Sequence, residues 1–192
     1  MTRIASADAE RQAIREVATL MAAAARTAPK TRGVDTIQTL VVDGEDLETL
    51  AQAIEQAAGE QSPAMGPGFL RDARNVRAST CVVLIGTTGA PRKPEVPMDC
   101  GACGLKTCAN LLHAREKASR GTGFFGPVCA FASIDLGIAA GSAAKVAADH
   151  NIDNRIMRTV GTGAMRLKWL ESDLILGIPL SATGKSPYFD RG

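Results

Sequence analysis

The chain has 192 residues, 45% of them hydrophobic and only 4% aromatic, with a formal net charge of +2. That length suits a single domain, residues 1–192, with a sizeable core built on Ala, Val, Leu and Ile. A charge so small argues against a nucleic-acid or membrane surface.

The N-terminal stretch MTRIASADAERQ contains no apolar signal region. Ser6 is placed to cap a first helix, with Asp8 and Glu10 suiting its positive first turn. Ile14, Val17, Ala18, Met21, Ala22 and Ala25 recur at helical spacing. The helix is predicted to end near Thr27, because Pro29 disfavours helical geometry at Ala28. TIQTLVV, residues 36–42, is β-rich and reads as a strand closed by the Asp43-Gly44 turn. A second helix over Asp46–Ala58 puts Leu47, Leu50, Ala51, Ile54 and Ala57 on one face. After a loop, a short helix is predicted over Phe69–Arg77, and CVVLI, residues 81–85, reads as a central strand. Residues 86–97 hold two glycines and three prolines and read as a loop. Further helices are predicted from Cys108 to Ser119, from Cys129 to Asp149 and from Thr159 to Leu170, and a last strand from Asp173 to Leu180. The longest apolar run, Ile134 to Ala148, is broken by Asp135, Ser142 and Lys145, which suits a buried helix better than a membrane span. Strands separated by helices predict a two- or three-layer α/β domain.

Four of the five cysteines lie between Asp99 and Cys129. DCGACGLKTCANL sets Cys100, Cys103 and Cys108 in a Cys-x2-Cys-x4-Cys run, and Cys129 follows in GPVCAF after twenty intervening residues. The protein is expected in the cytoplasm, where thiols stay reduced and clustered ones are metal ligands or redox groups. Thiolates select Zn, Cu(I) or iron–sulfur clusters. A structural zinc site pairs two short Cys/His hairpins, whereas here one triplet and one distant cysteine stand alone. The leading reading is a [4Fe-4S] cluster held by Cys100, Cys103, Cys108 and Cys129 in an inserted segment, residues 99–129. A four-cysteine zinc site and unligated cysteines are the alternatives. Gly101 and Gly104 allow tight turns that aim amide N–H groups at sulfur. Cys81, inside CVVLI, reads as a small buried hydrophobe.

The cysteine run resembles the NCGxCGxxxCxxxA module, with its distant fourth cysteine, of electron-transfer subunits of ion-pumping ferredoxin oxidoreductases and of corrinoid iron–sulfur proteins. The last gap here is somewhat longer. More widely, AAARTAPKTRGVDTI, FLRDARNVRAS, VVLIG, CAFASIDLGIAAGSAAKVAADHNIDNRIM and GIPLSATGKSPYFDR resemble a family of small bacterial and archaeal proteins containing a ferredoxin domain. A second resemblance is to the FMN-dependent nitroreductases. AARTAPKTRG, TLVV, CVVLIG, IDLGIAAGSAAKVAADH and GIPLSATGK follow that family's order of helix, strand, strand, long Ala-rich helix and final strand with a basic tail. That likeness implies an α/β (α+β) nitroreductase-like three-layer fold and a homodimer built by long helices. It also implies a bound FMN near Arg26, Lys30 and Arg32, with Lys185 and Arg191 as phosphate contacts. The chain begins too late to carry that family's Arg-Arg-Ser-x-Arg phosphate grip, and its Asn and Gln flavin contacts have no evident counterpart.

ATGKS near the end of the chain is not a phosphate loop: Pro179 stands where its first glycine belongs, and only six residues follow Ser186. His113 is placed to hydrogen-bond a cluster sulfur or to face solvent, and the polar run around His150 reads as a helix end and turn. The function expected is that of a [4Fe-4S] redox protein. Either its cluster feeds a bound FMN that reduces a small-molecule acceptor, or it is a flavin-free electron carrier or sensor with a redox partner protein.

Overall fold

The computed structural model describes residues 3–121 and 123–189. Helix α1 spans Ser6–Thr27 and buries Ile14, Val17, Ala18, Met21 and Ala25. Ser6 stands inside the first turn rather than at its cap, its hydroxyl donating to Glu10 at 2.6 Å. Ala28 leaves the helix in extended geometry, as the following proline demands. One 3-10 turn, Thr31–Gly33, leads to strand β1, Gln38–Asp43. Helices α2, Asp46–Ala58, and α3, Gly66–Arg77, precede strand β2, Cys81–Thr87. The chain then makes a long excursion containing only helix α4, Cys108–Glu116, before helix α5, Ala130–Asp149. Strand β3, Asp153–Asn154, helix α6, Arg158–Arg166, and strand β4, Leu174–Ser181, complete the order.

The four strands lie in the order β1-β2-β4-β3, all antiparallel. β2 is buried along its whole length, and its alternation divides the core in two. Cys81, Val83 and Ile85 pack with α1 and α5 on one face, while Val82 and Leu84 pack with α2, α3 and α6 on the other. The result is the three-layer α/β arrangement, with the cysteine-bearing excursion inserted between β2 and α5. Small side chains set the spacing of the first layer: Ala139, Ala140, Ala143 and Ala147 of α5 are buried against α1.

Glycine does the same for α6. A Cβ on Gly161 would stand 1.7 Å from the carbonyl oxygen of Ile175 in β4, and one on Gly163 would stand 2.6 Å from Ile54 of α2. Gly177 of β4 answers from the other side, its Cβ position 2.2 Å from Val160. The helix therefore lies almost on the backbone of the strand. It is shorter than the apolar pattern predicts, because Lys168 takes a left-handed conformation (φ 54°) and turns the chain toward β4.

The sequence-level reading of Ile134–Ala148 as a buried helix matches its place in the fold. α5 is the one described helix long and apolar enough to cross a membrane, and its inner face packs in the core. Its outer face leaves Ile134 and Ile138 exposed at 50% and 40%.

Replacing Gly161 by Ala is expected to lower unfolding stability by about 3 kcal/mol or more, because a strand carbonyl cannot rotate away as a side chain can. Gly68→Ala, where the added methyl meets open space, is expected to stay within about 1 kcal/mol of the parent. Urea unfolding midpoints of the two variants check the pair.

Candidate functional site

The cysteine segment gathers at one end of the sheet, beyond Thr87 of β2 and Leu174 of β4. Asp99, Gly101 and Gly104 all have positive φ (43°, 71° and 81°), so the run between them is a succession of tight turns. Gly104 N–H bonds Gly101 O at 2.9 Å, and Cys108 N–H donates to Asp99 Oδ1 at 2.6 Å. Thr107 caps α4 by accepting from Asn110 N–H at 3.1 Å. Cys108 is therefore the first residue of α4 and Cys129 the residue that precedes α5. Both stand where a helix leaves backbone N–H groups unpaired.

All five cysteines are free of disulfides. Cys100 is exposed, Cys103 and Cys108 are half-buried, and Cys129 is buried. Cys103 and Cys129 share a small apolar cluster with Leu111 and Ala132. Among the described residues, no three His, Cys, Asp or Glu side chains are gathered in a metal-binding arrangement. The structure thus brings Cys103 and Cys129 into one cluster and leaves Cys100 and Cys108 outside it. The donor set, four free thiols on one segment, is of the kind that takes an iron–sulfur cluster or zinc. Cys81 is fully buried, and burial pushes its thiol up to about 12, with the charge of Asp43 adding to the effect. His113 is exposed, 3.7 Å from Glu116, and His150 Nδ1 lies 2.8 Å from Val146 O at the end of α5.

Two buried carboxylates anchor the excursion to the body of the protein, and neither stood out in the sequence. Asp135 on α5 accepts from Arg92 Nε at 3.0 Å, with both side chains at most 2% exposed. It also accepts from Thr31 N–H at 2.8 Å and Thr31 Oγ1 at 2.7 Å. Arg92 Nη2 reaches Thr87 Oγ1 at 3.1 Å. Asp173, just before β4, accepts through Oδ2 from Gly89 N–H at 2.7 Å and Arg115 Nη2 at 2.6 Å. Its Oδ1 accepts from Arg120 Nη2 at 2.7 Å. Both guanidiniums also lie over the Phe125 ring, at 5.0 and 4.4 Å. The sequence signal for Asp135 was a single carboxylate inside an otherwise apolar helix. The arginines it would have needed are remote in the chain.

A cleft of about 700 Å3 opens beside Asp173. Arg120 and Phe125 of the excursion form one wall, and Met165, Lys168 and Leu170 form the other.

The basic residues expected around a flavin do not converge. Arg26 is exposed and bonds Asp35 at 2.6 Å. Lys30 is buried and donates to Ala25 O at 3.2 Å and to Arg26 O, closing the C-terminal end of α1. Burial raises the Asp35 carboxyl, but the Arg26 bond, the Ile37 amide and the Lys30 charge outweigh it and hold the group below its ordinary value. Arg32 donates to Val96 O. This group belongs to the Thr87 end of the sheet, since Thr36 bonds Thr87 at 2.7 Å. The tail carrying Lys185 leaves β4 at the Cys81 end, where Tyr188 bonds Ser79 at 2.9 Å. The length of β2, roughly 20 Å, separates the two within one chain. Arg191 lies outside the described residues. The ATGKS stretch forms turns rather than the start of a helix.

Over residues 125–191 the chain matches the family described as "Uncharacterized protein containing a ferredoxin domain (DUF2148)". The match includes Cys129 and stops short of the cysteine triplet. An uncharacterized protein of Archaeoglobus fulgidus is 45% identical over 186 residues, covering 96% of this chain and 95% of that one. The chain belongs to this ferredoxin-domain family, as its sequence motifs implied, and the membership supports a redox protein. Its fold is nitroreductase-like. A nitroreductase with bound FMN from Desulfitobacterium hafniense superposes with a TM-score of 0.53 at 18% identity, covering 91% of this chain and 82% of that one. The FMN-dependent nitroreductase NfnB of Mycobacterium smegmatis, in complex with NADPH, gives 0.52 at 14% identity over 88% and 78%. A BluB-like flavoprotein from Clostridium difficile gives 0.51 at 14% over 93% and 80%.

With its thiol at about 12, Cys81 holds about a thousandfold less thiolate at neutral pH than an ordinary cysteine. Iodoacetamide at pH 8 is expected to leave Cys81 unmodified in the folded, metal-free protein and to modify it after denaturation. Peptide mapping by mass spectrometry reads this directly.

Proposed function

We propose that this protein is a cytoplasmic iron–sulfur redox protein that binds one [4Fe-4S] cluster through Cys100, Cys103, Cys108 and Cys129. The observation that carries the reading is the confinement of four free thiols to the single excursion between β2 and α5, two of them at helix N-termini. Bound there, a cluster supplies one-electron transfer. Cys129 is held by the body of the protein, whereas Cys100 and Cys108 sit on the Asp99–Cys108 turns, so ligation closes that arm onto Cys129. The exposed Cys100 puts one edge of the site at the surface, where a redox partner protein or a small-molecule acceptor can reach it. The unpaired thiols support a reducing compartment.

The same reading extends to an oxidoreductase in which the cluster passes electrons to FMN. The nitroreductase-like fold and the cleft between Arg120 and Lys168 favour this form. Against it stands the basic set: Arg26 and Lys30 are committed to Asp35 and to helix carbonyls, and Lys185 lies at the opposite end of the sheet. These residues do not fit one flavin-phosphate site within a chain, and that favours the flavin-free carrier or sensor. The outer stripe of α5, with Ile134 and Ile138 exposed and open space over Gly137 and Gly141, supports a homodimer formed through this helix.

An anaerobic visible spectrum before and after dithionite, with iron and sulfide analysis, tests the proposal. A broad band that bleaches, with four iron and four sulfide per chain, is expected, and resolved flavin peaks would select the oxidoreductase form. Serine at any of the four cysteines is expected to lower iron content at least several-fold, and Cys81→Ser to leave it unchanged. A colourless protein loaded with zinc would sink the reading. For the dimer, Ile138→Glu is expected to shift sedimentation from dimer to monomer.

A further inference from the structure

The buried carboxylate of Asp173 stands far beyond the last cysteine in sequence, yet its bonds converge on the cysteine segment. We infer that Asp173 is a positioning residue that sets Cys129 against helix α4, whose first residue is Cys108; the inference rests on the cluster reading for its purpose but not for its geometry. Asp173 Oδ2 accepts from Gly89 N–H at 2.7 Å, and the carbonyl of the same Gly89 accepts from Cys129 N–H at 2.8 Å. One residue, Gly89, thus joins the carboxylate to the backbone of the cysteine. The second arm runs through Arg115 on α4, two turns beyond Cys108. Its Nη2 bonds Asp173 Oδ2 at 2.6 Å, and its Nη1 bonds Pro127 O at 2.7 Å, two residues before Cys129. A third bond, from Arg120, holds the loop between them at 2.7 Å.

Asp173 is itself held by backbone bonds on both sides. Its N–H bonds Thr87 O and its carbonyl accepts from Phe125 N–H, both at 2.9 Å, and its side chain is 5% exposed. The junction is also closed sterically. A Cβ on Gly89 would stand 2.6 Å from Val128 Cγ1 and 2.7 Å from Arg115 Nη1. Val128 adjoins Cys129 and Arg115 is pinned at both ends, so any side chain at position 89 would push both arms apart. Thus α4, the loop before Cys129, the end of β2 and the start of β4 all refer their positions to one carboxylate.

The test uses the full chain in two states. In the metal-free protein, iodoacetamide labelling of each cysteine is followed by peptide mapping. Asp173→Asn is expected to raise the labelling rate of Cys129 at least tenfold while Cys81 stays protected. Gly89→Ala is expected to do the same. Asp72→Asn, which loses an equally buried carboxylate on the far side of the sheet, is expected to leave Cys129 unchanged. If Asp173→Asn exposes Cys81 as well, Arg115→Gln takes its place, since it spares the Gly89 and Arg120 bonds. An unchanged Cys129 rate with Cys81 protected would overturn the inference. In the iron-loaded protein, the same variants are expected to change the electron paramagnetic resonance signature of the reduced cluster, which Asp72→Asn leaves unaltered. A parent protein that binds no iron and sulfide would defeat the cluster reading alone, while the labelling rates would still decide the role of Asp173.

Discussion

A carboxylate taken out of water must be met by positive charge or by several hydrogen bonds, and two such carboxylates organise the cysteine-bearing end of this protein. Asp135 and Asp173 both belong to the body of the fold. Their cationic partners, Arg92, Arg115 and Arg120, all belong to the excursion between β2 and α5. The excursion has little apolar surface of its own to bury: its cluster around Leu111 and Ala132 is small beside the two cores that flank the sheet. Charge pairing therefore does what hydrophobic burial does elsewhere in the molecule. It also gives direction, since a guanidinium fork meets a carboxylate in few geometries. A segment placed by apolar contact alone could slide, whereas one placed by three directional ion pairs keeps its register against the sheet.

This division explains what could be read from the chain and what could not. Helices α1 and α2 announced themselves through apolar residues three and four apart, and β2 through an unbroken apolar run, because those patterns record burial directly. The turns of the cysteine run were legible for a similar reason: Gly101 and Gly104, both at positive φ, mark them. Asp135 and Asp173 were not legible as a pair of anchors. Arg92 lies 43 residues from Asp135, and Arg115 lies 58 from Asp173, so no local pattern links them. The two-residue β3 was missed because it is too short to show alternation, and Ser6 was misread as a cap because a serine within the first turn looks identical in sequence. Arg26 and Lys30 show the opposite failure. The resemblance to flavoproteins suggested a phosphate site, yet their local chemistry, cations at a helix C-terminus with Asp35 close by, was sufficient to occupy them.

The position of the four thiols bears on whether a bound cluster would serve as a structural staple or as a working redox centre. Neither large core contains Cys100, Cys103 or Cys108, and neither depends on the Asp99–Cys108 turns for closure. Cys129 is held through its N–H bond to Gly89 O, and α4 is held through Arg115. Assembling the site therefore asks only the Asp99–Cys108 turns to close over Cys103 and Cys129, which already pack together, and metal–thiolate bonding opposes a modest conformational entropy rather than the unfolding of the domain. A staple would be expected where the fold could not close without it, as in metal-dependent mini-domains. Here the three-layer body closes on its own, and the thiols sit at its rim with Cys100 in solvent. That arrangement suits a centre whose oxidation state is read from outside.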